Sequence, residues 1–310
     1  MQSSRIQIRL GTRGSPLALA QARTVRAQLA QANGLNPEEI EICVIKTSGD
    51  RIQDRPLAEV GGKGLFTKEI EEALLSRAID LAVHSAKDVP TVLPEGLVLA
   101  ACLAREDVRD VFICRTAASL AALPAGAVVG TASLRRQAQV KRSRPDLRVV
   151  SFRGNVETRL RKIEAGEVDA TLLALAGLKR LGLVETATCI LGIDEFLPAV
   201  GQGAIAIETR ADAERIRTLL AGINHPATTT ALAAERAFLA ALDGSCRTPI
   251  AGHAVVSGSS VRLHGMIVRP DGSEAHETVR EGHVRDAAVL GDEAGRELRT
   301  KGGADFFRMP

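Results

Sequence analysis

At 310 residues and 45% apolar content the chain can bury two or three separate cores, and its opening stretch MQSSRIQIRLGTRGS scatters charge with no apolar run long enough for a signal peptide or a membrane span, so a cytoplasmic protein is expected. Aromatic residues make up 2% of the chain, all of them Phe, which removes the stacking platforms that single-strand nucleic-acid binders use. The net charge of +3 conceals ten Lys or Arg against two acids over residues 130–163, an excess that asks for an anionic partner: nucleic acid, phosphate or polycarboxylate.

Apolar runs of strand length alternate with segments of helical period from residue 5 to about residue 222, the pattern of an α/β protein with parallel sheets covered by helices. Strands are predicted over residues 5–12, 40–47, 79–85, 97–103, 110–114, 127–131, 148–153, 169–174 and 204–208. Ser15 before Pro16 marks a helix start, because Ser can accept from an orphan N–H and Pro needs no partner there. Asn155 caps a second helix, NVETRLRKIEAG, which Gly166 ends. From residue 226 the texture changes to an Ala-rich helix, TTTALAAERAFLAAL, three strand-like stretches near 250, 262 and 276, and a polar helix, which together read as a smaller α+β domain. No repeat of fixed period and no low-complexity tract is visible.

Charged residues cluster where strands end. Arg13 follows the first strand, Arg135 and Arg136 follow VVGTAS, Arg153 follows RVVSF, and Arg159 lies one turn into the next helix. Ligands of open α/β sheets bind outside the carboxyl ends of strands, beside helix N-termini that attract anions. Arginines at a helix start oppose the helix dipole, so SLRR at 133–136 breaks a local rule unless a bound anion compensates it. VGGKG at 60–64 lacks the spacing of a nucleotide loop and reads as a lid with Lys63 near its tip, or as a surface loop. In IDLAVHSAKDVP, residues 79–90, an apolar strand breaks into His84, Ser85, Lys87 and Asp88; the aspartate suits either proton transfer or turn capping, and His84 reads as a satisfied core histidine. Four cysteines sit in aliphatic runs. Cys246 lies instead in the polar loop DGSCRTPIAG beside Arg247, which would favour its thiolate, and is the candidate for a reactive thiol.

These segments resemble the porphobilinogen deaminase family over nearly the whole chain, more weakly after about residue 255. The motifs are TRGSPLALAQA at 12–22, VGGKGLFTKEIEEALL at 60–75, DLAVHSAKDVPT at 80–91, REDVRDVFI at 105–113, GTASLRRQAQ at 130–139, RGNVETRL at 153–160, LALAGLKRLG at 173–182, LPAVGQGAIAIE at 197–208 and GSCRTP at 244–249. The resemblance implies two domains similar to the type II periplasmic binding fold, with two chain crossings and a cleft between them, and a smaller C-terminal α+β domain. Residues 1–103 plus 204–222 would form the first domain, 104–203 the Arg-rich second, and 223–310 the third, which carries Cys246. The resemblance also implies a dipyrromethane cofactor held by Cys246 through a thioether, no metal, and Asp88 as the catalytic aspartate that assists loss of ammonia and stabilises the resulting cation. By the same resemblance Ser85, Lys87, Asp88, Thr131, Ser133, Arg135 and Arg136 bind the cofactor, while Arg13, Ser15, Lys63, Arg153, Arg159, Arg180 and Gln202 bind porphobilinogen or the growing oligopyrrole. The implied product is the linear tetrapyrrole hydroxymethylbilane, and the implied state is a monomer without nucleic-acid or membrane partners. Nearby lysine and arginines are expected to favour the ionised form of Asp88.

Two rivals come from other classes. A solute-binding module would share the two-lobed fold but release no ammonia from porphobilinogen. A nucleic-acid protein using the 130–163 stretch would bind with steep salt dependence, which the lack of aromatics argues against.

Overall fold

The computed structural model describes residues 8–51, 64–244 and 248–308. They divide into two compact units, the first built from residues up to Arg105 and from Ala204–Thr229, the second from Glu106–Gly203 and residues 230 onward.

In chain order the first unit opens with β1 (Ile8–Thr12), α1 (Pro16–Asn33), β2 (Ile40–Val44), α2 (Ser48–Arg51), α3 (Lys68–Leu75), β3 (Leu81–Ser85) and β4 (Leu97–Cys102). The second unit follows with β5 (Asp110–Cys114), β6 (Val128–Gly130), α4 (Leu134–Ser143), β7 (Arg148–Val150), α5 (Val156–Glu164), β8 (Ala170–Ala174), α6 (Leu175–Leu181) and β9 (Cys189–Ile190). The chain then returns to the first unit for β10 (Ile205–Arg210) and α7 (Glu214–Ala221). After α8 (Pro226–Ala241) come β11 (Ile250–Ser257), β12 (Ser260–Val268), β13 (Ala275–His283) and α9 (Ala287–Gly302).

The sheet of the first unit runs β2-β1-β3-β10-β4, and the larger sheet of the second runs β7-β6-β8-β5-β9. The orders correspond strand for strand. In each, three parallel strands are followed by one that runs the other way: β10 is antiparallel to β3 and β4, and β5 to β8 and β9. The fold class is therefore the expected α/β class with two like sheets and a smaller C-terminal three-stranded sheet, β11-β12-β13. The expectation of parallel sheets needs correction to mixed ones. Alternating apolar runs cannot report direction, and neither β5 nor β10 is reached by a helical crossover within its own sheet, the connection that enforces parallel pairing.

Side-chain alternation on β3 and β10 separates two faces in the first unit. Leu81, Val83, Ile205 and Ile207 join Val25, Leu29 and Leu220 in one core, whereas Ala82 packs with Ile70, Leu74 and Ile79 beneath α3. In the second unit the C-terminal sheet packs on the loop and helix of the larger one through Ala138, Leu197, Ala251, Met266 and Val268. Helix starts follow their caps. Ser15 Oγ accepts from Ala18 N at 3.3 Å and Asn155 Oδ1 from Thr158 N at 2.8 Å.

Candidate active site

In the first unit the polar residues collect where β1 and β3 end. Arg13 directly follows β1, and Ser15 is fixed by its capping bond. β3 leaves the sheet at Ser85, and a single 3-10 turn, Ala86–Asp88, delivers Lys87 and Asp88 to the same end. Ser85 Oγ is held by both atoms of the Gln21 amide, accepting from Nε2 at 2.9 Å and donating to Oε1 at 3.2 Å. The result is a small cavity of about 90 Å³ whose walls include Arg13, Ser15, Phe66, Ser85, Lys87 and Asp88. The Asp88 carboxylate is 29% exposed, with Arg13 Nη1 3.9 Å from its Oδ2. The Arg13 guanidinium carbon also sits over the Phe66 ring, 4.1 Å from its centroid, a cation–π contact that helps to hold it in place. Five residues singled out from sequence thus meet around one cavity. Gln21 and Phe66 were missed, Phe66 although it stands inside the quoted GGKGLF segment and is one of only seven aromatic residues.

The second unit places Thr131, Ser133, Arg135 and Arg136 after β6. Thr131 Oγ1 accepts from Ser133 N at 3.1 Å, and Ser133 caps α4 by accepting from Arg136 N. Both guanidiniums turn inward onto one carboxylate. Arg135 Nη2 donates to Asp110 Oδ2 and Arg136 Nη2 to Asp110 Oδ1, each at 2.6 Å, and Arg136 Nε and Gln202 Nε2 each add a bond to Oδ1 at 3.1 Å. Asp110 is fully buried and the guanidiniums nearly so. Burial alone would raise the Asp110 pKa, but the charges of Arg135 and Arg136 outweigh it and hold the carboxyl down at about 2.

This corrects the expectation that only a bound anion offsets SLRR: the chain supplies its own counter-charge, from a strand 25 residues earlier. The offset is incomplete, because two guanidiniums face one carboxylate. Arg135 Nε is buried and makes no hydrogen bond, and burial pushes the Arg135 guanidinium below its usual range. Arg159, half-buried on α5, is pushed down to about 10 by burial and by the positive charges of Arg136 and Arg153. A concentration of positive charge of this kind is what a polycarboxylate would neutralise.

Gln202 is 1% exposed and spends its amide on Asp110 and on Val108 O, at 2.7 Å. Arg180 Nη2 donates to Gly203 O at 2.7 Å. Gly203 has φ +85°, and a Cβ there would meet Glu106 O at 2.4 Å, so the GQG segment requires glycine at this point. Lys63 and Cys246 lie outside the described residues. Among the other cysteines, burial raises the thiol pKa of Cys43 and Cys189, which argues against either as a ready thiolate. Among the described residues no cluster of three or more His, Cys, Asp or Glu has metal-holding geometry.

A family model for the dipyromethane cofactor binding domain of porphobilinogen deaminase matches residues 8–218, and one for the porphobilinogen deaminase C-terminal domain matches residues 229–300. The chain belongs to the porphobilinogen deaminase family. A porphobilinogen deaminase of Nitrobacter winogradskyi is 65% identical over 300 residues, covering 97% of this chain and 95% of that one, and one of Nitrobacter hamburgensis is 64% identical over the same span. Among solved structures, the periplasmic substrate-binding protein of an ABC transporter from Coxiella burnetii aligns with a TM-score of 0.44 and 15% identity, covering 74% of this chain and 97% of that one. Within the family match fall all the residues that line the first unit's cavity and all those of the Asp110 cluster.

Proposed function

We propose that this chain joins four porphobilinogens head to tail with loss of ammonia, giving hydroxymethylbilane, on a dipyrromethane tethered to Cys246. It is a transferase of porphyrin biosynthesis, as its family membership implies. The observation that carries the site assignment is the half-buried Asp88 carboxylate at the strand end, sharing a cavity wall with Arg13, Ser85 and Lys87.

The donor set of the second unit fits the cofactor. Pyrroles that bear acetate and propionate groups need fixed, planar donors, and the buried Arg135 Nε without a partner is such a donor. Thr131, Ser133, Arg135 and Arg136 would hold it together with Ser85, Lys87, Asp88 and the Cys246 sulfur. When bound, the dipyrromethane supplies the electron-rich pyrrole from which the chain grows. Asp88 acts on the incoming porphobilinogen: it accepts from the pyrrole N–H, assists departure of the aminomethyl nitrogen as ammonia, and balances the cation left behind. Arg13, Ser15, Lys63, Arg153 and Arg159 would bind the carboxylates of substrate and growing chain. Gln202 and Arg180 contribute through what they hold, the Asp110 carboxylate and the Gly203 carbonyl. The three-domain division at residues 103/104, 203/204 and 222/223 belongs to the same reading.

A cytoplasmic monomer without nucleic-acid partners completes the proposal; among the described residues no helix is long and apolar enough to cross a membrane. Intact-protein mass tests the assignment. Purified chain is expected to exceed its calculated mass by a two-pyrrole adduct and Cys246→Ser to lack it; an adduct that persists in Cys246→Ser overturns the attachment site.

A further inference from the structure

Behind the strand that carries Asp88 lies a buried polar cluster that the proposed chemistry does not use. His84 Nε2 and Glu208 Oε2 are hydrogen-bonded at 3.0 Å, with side chains 3% and 0% exposed. In the β3–β10 register Ala206 faces His84 and Glu208 faces Ala82, so the bond runs diagonally across the pair, and the two alanines leave the room it needs. Glu71 of α3, which packs on both strands, brings a second buried carboxyl to the same face. Glu208 Oε1 and Glu71 Oε1 are both buried without a hydrogen-bond partner. The β10–β4 pairing slips at Ile207/Glu208, an irregularity of the kind that re-aims a side chain beside an active site.

We propose that His84, Glu208 and Glu71 form a clasp that positions the Asp88 carboxylate for turnover, with Glu208 as the positioning residue and the cluster's proton on Glu71. Geometry carries the argument. His84 is the penultimate residue of β3, two positions from the turn that presents Asp88, and it also lines the Asp88 cavity. The strand end is pinned on both faces, by Gln21–Ser85 on the α1 side and by His84–Glu208 on the α3 side. Beyond Ser85 the turn is tied to the residue before β10 by Ala86 N donating to Ala204 O at 3.0 Å, and the two pins fix the strand end from which it leaves.

The proton belongs on Glu71 because its buried carboxyl lacks the histidine hydrogen bond that Glu208 has. Burial raises the Glu71 pKa, the charges of Glu208 and Glu72 raise it further, and the neighbouring Thr67 hydroxyl and His84 ring lower it. The other charged group that β10 directs toward α3 is Arg210, whose Nη1 is spent on the carbonyls of Leu74 and Ile79; on the opposite side of β3, Arg9 of β1 is paired with Asp80.

The inference rests on Asp88 being the catalytic residue, and a double-mutant cycle on the full-length, cofactor-loaded enzyme separates the two claims. Glu208→Gln is expected to load cofactor by mass and to lose roughly tenfold in kcat with KM within about twofold. Combined with Asp88→Glu it should add almost nothing to the loss Asp88→Glu causes alone, since both changes spoil one carboxylate's placement. Multiplying losses overturn the clasp and leave the function intact, whereas full turnover by Asp88→Asn overturns the reading of the site itself. If Glu208→Gln does not fold, Glu208→Asp, which keeps the charge but withdraws it by one methylene, enters the same cycle with the same two outcomes. The proton is tested separately. A carboxyl whose folded pKa is raised stabilises fully only below its unfolded value, and that contribution is lost as pH rises through the folded one. Glu71→Gln should therefore melt with the parent near pH 4 and above it by a few degrees at pH 7; a difference that does not grow with pH overturns the placement of the proton.

Discussion

The two charged clusters of this molecule handle their ions in opposite ways. Around Asp110 the ions are sealed: a fully buried carboxylate, two guanidiniums almost without exposure, and hydrogen bonds as short as 2.6 Å. Around Asp88 they are open, with a carboxylate 29% exposed and its arginine 3.9 Å away. Charges as deep as those around Asp110 must be matched within the protein or the chain does not fold, so that cluster is first a folding element, and under the proposed function only its residual positive charge is left for a ligand. Among the described residues Asp88 is only loosely paired, which leaves its oxygens open to the cavity. Structure around the second unit's arginines is bought with Asp110, while the function proposed for the first unit's aspartate needs a carboxylate not sealed in that way.

The largest effect expected from breaking this comparison is at the open site. Asp88→Asn keeps shape and hydrogen-bonding atoms but loses the charge, and turnover should fall by on the order of 10²-fold or more while the melting temperature stays within a few degrees of the parent. Ammonia release from porphobilinogen measures the first and a thermal melt the second; parental turnover would remove Asp88 from the chemistry.

The sealed site should respond in stability. Asp110→Asn leaves two buried guanidiniums without their counter-charge, and breaking a buried pair in this way costs about 3–5 kcal/mol, read as a lower urea midpoint. A loss below about 1 kcal/mol would mean that the cluster is not the folding element described here. The same pair sets an acid limit. The Asp110 carboxyl is held at about 2 against 3.8 in the unfolded chain, so its contribution is complete above about pH 4 and disappears as pH falls toward 2. In Asp110→Asn this acid-dependent component of stability should be missing.

How much of this could be read from residues alone divides along the same line. The caps at Ser15 and Asn155, the strand ends, and the polar run Ser85, Lys87 and Asp88 that closes β3 were legible because each depends on short-range chemistry. His84 was legible as a satisfied core histidine, but its partner Glu208, 124 residues away, was not. Asp110 escaped notice for the same reason. It opens an apolar strand in REDVRDVFI and looks like an ordinary surface acid until the sheet brings it under α4. The reversed direction of β5 and β10 was hidden because side-chain alternation is the same in both directions. The short strand β9, two residues long, carries no pattern to detect.

The smallest expected effect concerns how Arg13 is held. Its guanidinium carbon lies 4.1 Å from the Phe66 ring centroid and its Nη1 3.9 Å from Asp88 Oδ2, so ring and carboxylate both bear on where it sits. Phe66→Leu keeps most of the apolar volume but removes the aromatic face, at a cost of about 0.5–1 kcal/mol for a cation–π contact of this exposure. If contact with the ring is what places Arg13 for a substrate carboxylate, the loss should fall mainly on KM for porphobilinogen, with kcat retained within a few-fold. A fall confined to kcat would place the ring's effect on Asp88 instead, making the open site more tightly coupled than its 3.9 Å spacing indicates.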